Sequence, residues 1–402
     1  MSAISFLGGV ALSVLAVGPL VAAAVVARRR WLPSWSGVHA RVAEVTTVMA
    51  AFTVATEALG VVGLFRRWIV VAGCVVVGGV VVVVAQRGAH PVREPHDGEP
   101  GDGEPLGSLG DWFKPATVLA ALGAGVVGTQ WLAASVHNLR VGMQSSFDTL
   151  WYHGPMAANF VQDASITHIH YFDDNAITAF YPGGSEILHA SGILFFGDDA
   201  LSPLLNLGFL ALAVLAAWSI GRSLGSAPAS ALGALLVLGT PAFVRYEPGG
   251  GYSDIVGLAF VLAAVALLLR GGARGPALAL AGVAGGLAVG TKFTMLAPVG
   301  ALALGVVLVA GRGRRLRVLA TWVVAIGAMG GVWFVRNLVV AGNPLPGLSL
   351  SLGPLSLAPL PTTIPMDRFA DYLTDWSIVW HVYIPGWSET MGPGWWPRLP
   401  VA

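Results

Sequence analysis

The stretch WIVVAGCVVVGGVVVVVAQ, residues 68–86, carries no charged side chain, and it decides how the rest of the chain is read. A helix rising about 1.5 Å per residue needs roughly 20 apolar residues to cross a hydrocarbon core of about 30 Å, and this block supplies them. Working outward, comparable apolar blocks lie near 3–27, 38–63, 68–86, 115–136, 201–221, 228–246, 252–270, 276–291, 293–311 and 318–336. The chain of 402 residues is 55% hydrophobic and only 11% charged, with a mean hydropathy of +0.73. That composition excludes a soluble enzyme and predicts an all-α polytopic membrane protein of about ten transmembrane helices. A net charge of +1 leaves no basic stripe for a run of phosphates, which excludes nucleic acid as a partner. Cys74 is the single cysteine and can form no internal disulfide.

The first block has no basic segment ahead of it and is followed by Arg28, Arg29 and Arg30, so it reads as a membrane helix and not as a cleaved signal peptide. Residues 1–86 then make three N-terminal transmembrane helices. The Pro/Gly/acid-rich stretch 87–111 reads as a disordered cytoplasmic linker. Residues 112–346 form a membrane core that includes a polar region, 137–200, too long for a turn and placed between the fourth and fifth spans. The remainder, 347–402, is a Pro/Trp-rich tail with Trp376, Trp380, Trp387, Trp395 and Trp396. Arginine dominates over lysine, which occurs only at Lys114 and Lys292, and with the Ala/Gly/Val excess this points to a GC-rich bacterial genome.

Short-loop arginines stay on the cytoplasmic side. With 137–200 facing outward, span alternation puts Arg222, Arg270, Arg274, Arg312, Arg314, Arg315 and Arg317 inside; Arg245, Lys292 and Arg336 fall outside. The N-terminal half agrees through Arg28–Arg30, Arg41, Arg87, Arg93 and Lys114, and disagrees through Arg66 and Arg67. The expected setting is therefore a bacterial cytoplasmic membrane, multi-pass, with its polar site outward. This orientation collects Asp148, His153, Glu186, Glu247, Asp254, Lys292, Arg336 and Asn337 on the outer face. Charge near a membrane core is costly unless it pairs or lines a watered cavity, so a mixed-sign set there is a site hypothesis.

Within QSSFDTLWYHGP, residues 144–155, Asp148 and Tyr152 lie one helical turn apart, and a short interfacial helix would present both. A carboxylate there could act as general base toward an acceptor hydroxyl, or Asp148 could simply cap a helix. His168, His170, Asp173 and Asp174 invite a metal reading, with Asp173 and Asp174 the hard-oxygen candidates for a divalent cation, but no second ligand pair stands at fixed spacing. Ser185 reads as the cap of a helix whose first turn holds Glu186. Gly285–Lys292 fails the phosphate-loop pattern, because Thr291 separates Gly290 from Lys292 and Phe293 stands where Ser or Thr is required. Lys292 and Arg336 are then either snorkelling cations or partners for a lipid phosphate. Glu57 can reach Arg66 or Arg67 and reads as structural. Gly282 with Gly286, and Gly327 with Gly331, have the spacing of close helix contacts.

Taken in order, FDTLWYH (147–153), Tyr181–Pro182, Tyr252–Ser253–Asp254, GTKFT (290–294), WFVRN (333–337) and GNPL (342–345) resemble bacterial membrane glycosyltransferases of the GT-C fold, in the protein-mannosyltransferase and aminoarabinose-transferase-like branch. The likeness runs from about residue 112 to 346. It implies transfer of a sugar from a polyprenyl-phosphate donor to an extracytoplasmic acceptor in contact with membrane lipid. It also implies Asp148 as catalytic base or site organiser, and Lys292 and Arg336 as holders of the carrier phosphate. Tyr152, His153, Glu186 and Asp254 complete the candidate binding set. The resemblance implies no cofactor, and a divalent cation at Asp173 and Asp174 is a candidate only. The family often has two adjacent acidic residues where Asp148 stands alone, and three extra spans precede the core here. The family also continues through more spans, so the expectation is an enzyme whose tail at Ala402 is a candidate truncation, which would put the activity of this form in question. The rival class is a transporter or flippase for a lipid-linked or polar solute, which would place charges at the midplane and repeat one half in the other. A non-catalytic partner subunit is the third.

Overall fold

The computed structural model describes residues 2–87, 114–141, 146–361 and 375–392. The expected linker, Gln144, Ser145, Trp395 and Trp396 thus lie wholly or largely outside the described residues. The chain is an all-α polytopic membrane protein. Its helices are α1 (Ala3–Trp31), α2 (Gly37–Val61), α3 (Arg67–Arg87), α4 (Pro115–Val141), α5 (Gly154–Gln162), α6 (Gly184–Phe196), α7 (Ser202–Ser223), α8 (Ala227–Leu238), α9 (Pro241–Tyr246), α10 (Asp254–Gly271), α11 (Gly275–Thr291), α12 (Leu296–Val309) and α13 (Arg315–Ala341). A small antiparallel hairpin, Leu350–Leu352 with Leu355–Leu357, and a helix, α14 (Ile384–Met391), follow.

Seven of the described helices are long and apolar enough to cross a membrane, against about ten expected. The other three expected spans are present as the shorter apolar helices Ala227–Leu238, Gly275–Thr291 and Phe293–Val309. The physical reasons are local. The block at 228–246 breaks at Gly239–Thr240 and restarts at Pro241, whose missing N–H suits a first helical turn. Lys292 is extended (φ −156°, ψ 137°), which ends α11 and starts a tight turn into α12.

Helix α2 sits at the centre, in contact with α1, α3, α7, α10 and α11. Its hydropathy is among the lowest of the seven because Thr46, Thr53, Thr56 and Glu57 are buried in protein and do not face lipid. Thr47 and Thr56 return their hydroxyls to the carbonyls of Ala43 and Phe52, each at 2.8 Å. By contrast the valines of α3, among them Val76, Val80 and Val84, are exposed on the lipid side, while Cys74 is fully buried against α1.

The tightest helix pair is α11 with α13. A Cβ on Gly286 would come within 2.9 Å of the Ile326 Cα, and one on Gly330 within 2.7 Å of the Gly286 carbonyl oxygen. The small-residue face of α11 is the expected one, but on α13 it is Gly330 that meets it; Gly327 and Gly331 face open space. Four-residue spacing marks a stripe on a helix without saying which way the stripe points. Glu57 also departs from expectation: it is buried beside the Trp333 indole, while Arg67 donates to the Leu194 carbonyl at 2.8 Å. The second span turns its carboxylate inward, away from the arginines beyond its end.

Candidate active site

The motif FDTLWYH does not continue as an ordinary α-helix. Thr149–His153 form a π turn, closed by the Gly154 N–H on the Thr149 carbonyl, before α5 begins with Pro155 in its first turn. Such wide turns are uncommon and concentrate at functional sites, because they cost backbone geometry that must be compensated by packing. The compensation is visible. Thr149 Oγ1 accepts the Gly251 N–H at 2.9 Å and bonds Ser146 Oγ, joining the turn to the loop before α10. Asp148 precedes the turn and its side chain makes no capping bond, so the capping account of this carboxylate does not hold.

Around Asp148 stand three phenols. Tyr252 lies against the Asp148 backbone and the Ser146 side chain. Burial first, and then the Asp148 charge, push the Tyr152, Tyr181 and Tyr252 hydroxyls upward, so all three stay protonated and able to donate. Their rings are connected: Tyr152 meets Tyr181 edge-on at 5.5 Å, Tyr181 meets Phe293 at 5.8 Å, and Tyr252 meets His153 at 5.8 Å.

Beside this set, His153 and Glu186 form a hydrogen-bonded pair, both at most 3% exposed. His189, one turn further along α6, is held neutral, its pKa lowered to about 3 by burial and then by His153. On the other flank, Lys292 Nζ donates to Asp254 Oδ2 at 2.6 Å, with side chains 29% and 38% exposed. Glu247 braces Asp254. Burial and then the Asp254 charge raise its pKa to about 8, and it accepts the Ile255 N–H at 3.3 Å. Asp254 and Glu186 both act electrostatically on Tyr152, so the two flanks share one neighbourhood with Asp148.

The structure therefore brings Asp148, Tyr152, His153, Glu186, Asp254 and Lys292 together. Arg336 is placed differently. It is 6% exposed, its guanidinium lies 4.8 Å over the Trp333 ring, and it donates to the carbonyls of Ile166, Ala179 and Tyr181 at 3.2–3.4 Å. Asn337 adds a bond to the Phe180 carbonyl at 2.8 Å. The WFVRN motif thus clamps the polar loop, and the Arg336 fork is engaged by backbone carbonyls. Ser185 caps nothing: α6 begins at Gly184, where a Cβ would come within 2.7 Å of the Gly290 carbonyl oxygen.

Asp173 accepts the Asn175 N–H at 2.8 Å and shapes its own turn; Asp174 is exposed. His170 and His168 both approach Asp163, at 2.6 and 3.4 Å, and among the described residues no group of three or more His, Cys, Asp or Glu side chains is arranged to hold a metal ion. Tyr181, Tyr252 and His189 were not singled out from sequence as site residues. Tyr181 and Tyr252 lay within the quoted motifs, whereas His189 carried no signal beyond its place one turn after Glu186.

Residues 193–339, somewhat over a third of the chain, match the family model described as dolichyl-phosphate-mannose-protein mannosyltransferase. The match spans the end of α6 through most of α13 and so includes Asp254, Lys292 and Arg336. A search of curated proteins and a search of solved structures return no match. The resemblance read from the motifs is borne out over that segment, and the coarse class is that of a multi-pass membrane glycosyltransferase of the GT-C type.

Proposed function

We propose that the chain transfers a sugar from a polyprenyl-phosphate donor to a hydroxyl on an extracytoplasmic lipid, glycan or protein, with residues 112–346 as the catalytic core. The observation that carries this reading is the uncapped Asp148 carboxylate, ringed by protonated phenols and flanked by the Lys292–Asp254 pair. The acceptor hydroxyl attacks the anomeric carbon and gives its proton to Asp148. The bond from that carbon to the carrier phosphate breaks with inversion, and polyprenyl phosphate leaves. Lys292 has three N–H donors and gives one to Asp254, so the ammonium is oriented to meet the charge developing on the departing phosphate. Tyr152, Tyr181 and Tyr252 supply neutral donors for the sugar. His153 and Glu186 hold the π turn in place beside them.

The transporter reading finds less support, since the apolar block interrupted at Gly239–Thr240 has no ionisable side chain at its break. The test is transfer by the purified full chain in proteoliposomes, with polyprenyl-phosphate-mannose as the first donor and release of polyprenyl phosphate as the readout. Asp148→Asn is expected to lower turnover by about 10²–10⁴, the usual contribution of a general base, with membrane insertion intact. Full turnover in that variant overturns the assignment.

A further inference from the structure

Arg66 and Arg67 break the arginine asymmetry, because they stand on the face that carries the large polar loop. Two backbone bonds fix that sidedness locally: Phe65 N–H to the Ala164 carbonyl at 2.9 Å and Ile166 N–H to the Gly60 carbonyl at 3.1 Å. Arg67 lines an open groove of about 690 Å³ between α1, the start of α3 and the end of α6. Its apolar lining comes from Leu12 and Leu15 of α1 with Phe195 and Phe196 of α6. The Phe196 ring packs where a Cβ on Gly9 would come within 2.5 Å, while Gly8 faces open space. Arg67, Asp198, Ser5 and Trp68 also line it, the last 66% exposed as an aromatic at a membrane interface is. Arg67 Nε donates to the Leu194 carbonyl, which anchors the guanidinium and engages one of its five N–H donors. Asp198 Oδ1 accepts the Ala200 N–H at 3.0 Å.

We propose that this groove binds a zwitterionic phospholipid, with its phosphate on Arg67, its ethanolamine ammonium on Asp198 and an acyl chain along the Gly8 side of α1. One cation and one carboxylate lining the same groove match a headgroup that carries a phosphate and a primary ammonium. A headgroup with phosphate alone would leave Asp198 facing a second negative charge. The groove opens toward Leu7, Val14 and Leu15, all exposed, so a chain can enter sideways from the bilayer. The volume lies within the range of about 300–1,000 Å³ usual for small-molecule pockets. Arg67 is also the residue that holds the end of α6, whose first turn carries Glu186, so an occupied groove steadies the helix beside the site.

Native mass spectrometry of the full chain, incubated with dioleoyl-phosphatidylethanolamine or dioleoyl-phosphatidylglycerol, tests the proposal without an activity assay. The chain is expected to retain phosphatidylethanolamine roughly tenfold better than phosphatidylglycerol, and Arg67→Gln to lose retention of both roughly tenfold, as expected for one charge-assisted bond. Asp198→Asn should abolish the preference. Gly8→Leu fills the open space with a better helix former, keeps both charges, and should displace the lipid. Equal retention of the two lipids by the unaltered chain, or unchanged retention in Arg67→Gln and Gly8→Leu, overturns it.

Discussion

His153 Nδ1 and Glu186 Oε1, on residues 33 apart in sequence, bond to each other in the protein interior and tie the π turn to the first turn of α6. Neither side chain reaches solvent, and the Arg336 guanidinium lies within electrostatic range of Glu186. The two halves of the polar loop are thereby held in one register beside Asp148 and Tyr152.

Breaking that pair on one side leaves a polar group buried alone. Glu186→Leu is expected to lower stability by about 3–5 kcal/mol, the cost of orphaning one member of a buried pair, and His153→Phe with Glu186→Leu to recover most of it. Thermal unfolding in detergent of the two single variants and the double one measures the coupling. Additive losses would mean that the pair does not act as a unit.

Lys292→Met removes the one ammonium beside Asp254. With polyprenyl-phosphate-mannose in proteoliposomes, KM for the donor should rise by about 10- to 100-fold, equivalent to one hydrogen bond to a charged group. Asp254→Asn should produce a smaller rise in the same parameter, because it frees the ammonium but no longer orients it. An unchanged KM in Lys292→Met would remove Lys292 from donor binding.

Arg336→Lys keeps the charge and loses the planar fork that reaches three carbonyls. Hydrogen exchange over residues 166–181 should accelerate in this variant, with a fall in turnover that tracks it. A fall in turnover with unchanged exchange would assign Arg336 to the substrate.

Glu247 carries a pH dependence. Its pKa is raised from 4.5 to about 8, first by burial and then by Asp254, so between those values the folded chain holds a proton that the unfolded chain has released. Its contribution to stability is therefore complete below about pH 4.5 and declines as pH rises through about 8. Melting temperatures taken from pH 5 to 9 should fall across that range, and Glu247→Gln, neutral throughout, should flatten the decline.

Gly286→Val places branched carbons against the α13 backbone and should destabilise by about 1–3 kcal/mol as an overpacked contact. Gly327→Ala meets open space and should be neutral or slightly stabilising. The contrast, read as two melting temperatures, tests which stripe of α13 faces α11.

The apolar blocks were legible because crossing a bilayer imposes a length and a composition on every helix, and each expected block is largely helical here. The interruption at Gly239–Thr240–Pro241 was not read: apolar composition joined 228–246 into one span, and the chain folds it as two helices. The clustering of Asp148, Asp254 and Lys292 could be anticipated because span alternation forces their ends to one face. What could not be read depended on partners distant in the chain. Glu57 faces Trp333 and not the arginines nine and ten residues on, and Arg336 is enclosed by loop carbonyls far upstream. The π turn likewise leaves no mark in residue spacing, since its extra residue is accommodated by contacts with Gly251.

Helix α2, with its buried threonines and Glu57, imposes an order on assembly. It is synthesised long before α10, α11 and α13, all of which it contacts, and α13 carries the Trp333 indole that meets Glu57. Until they arrive it must wait in the bilayer with those hydroxyls and that carboxylate uncovered, shielded on the remaining sides by α1 and α3. The first three helices are therefore a scaffold around which the later ones close, and removing them would leave the core without its central post.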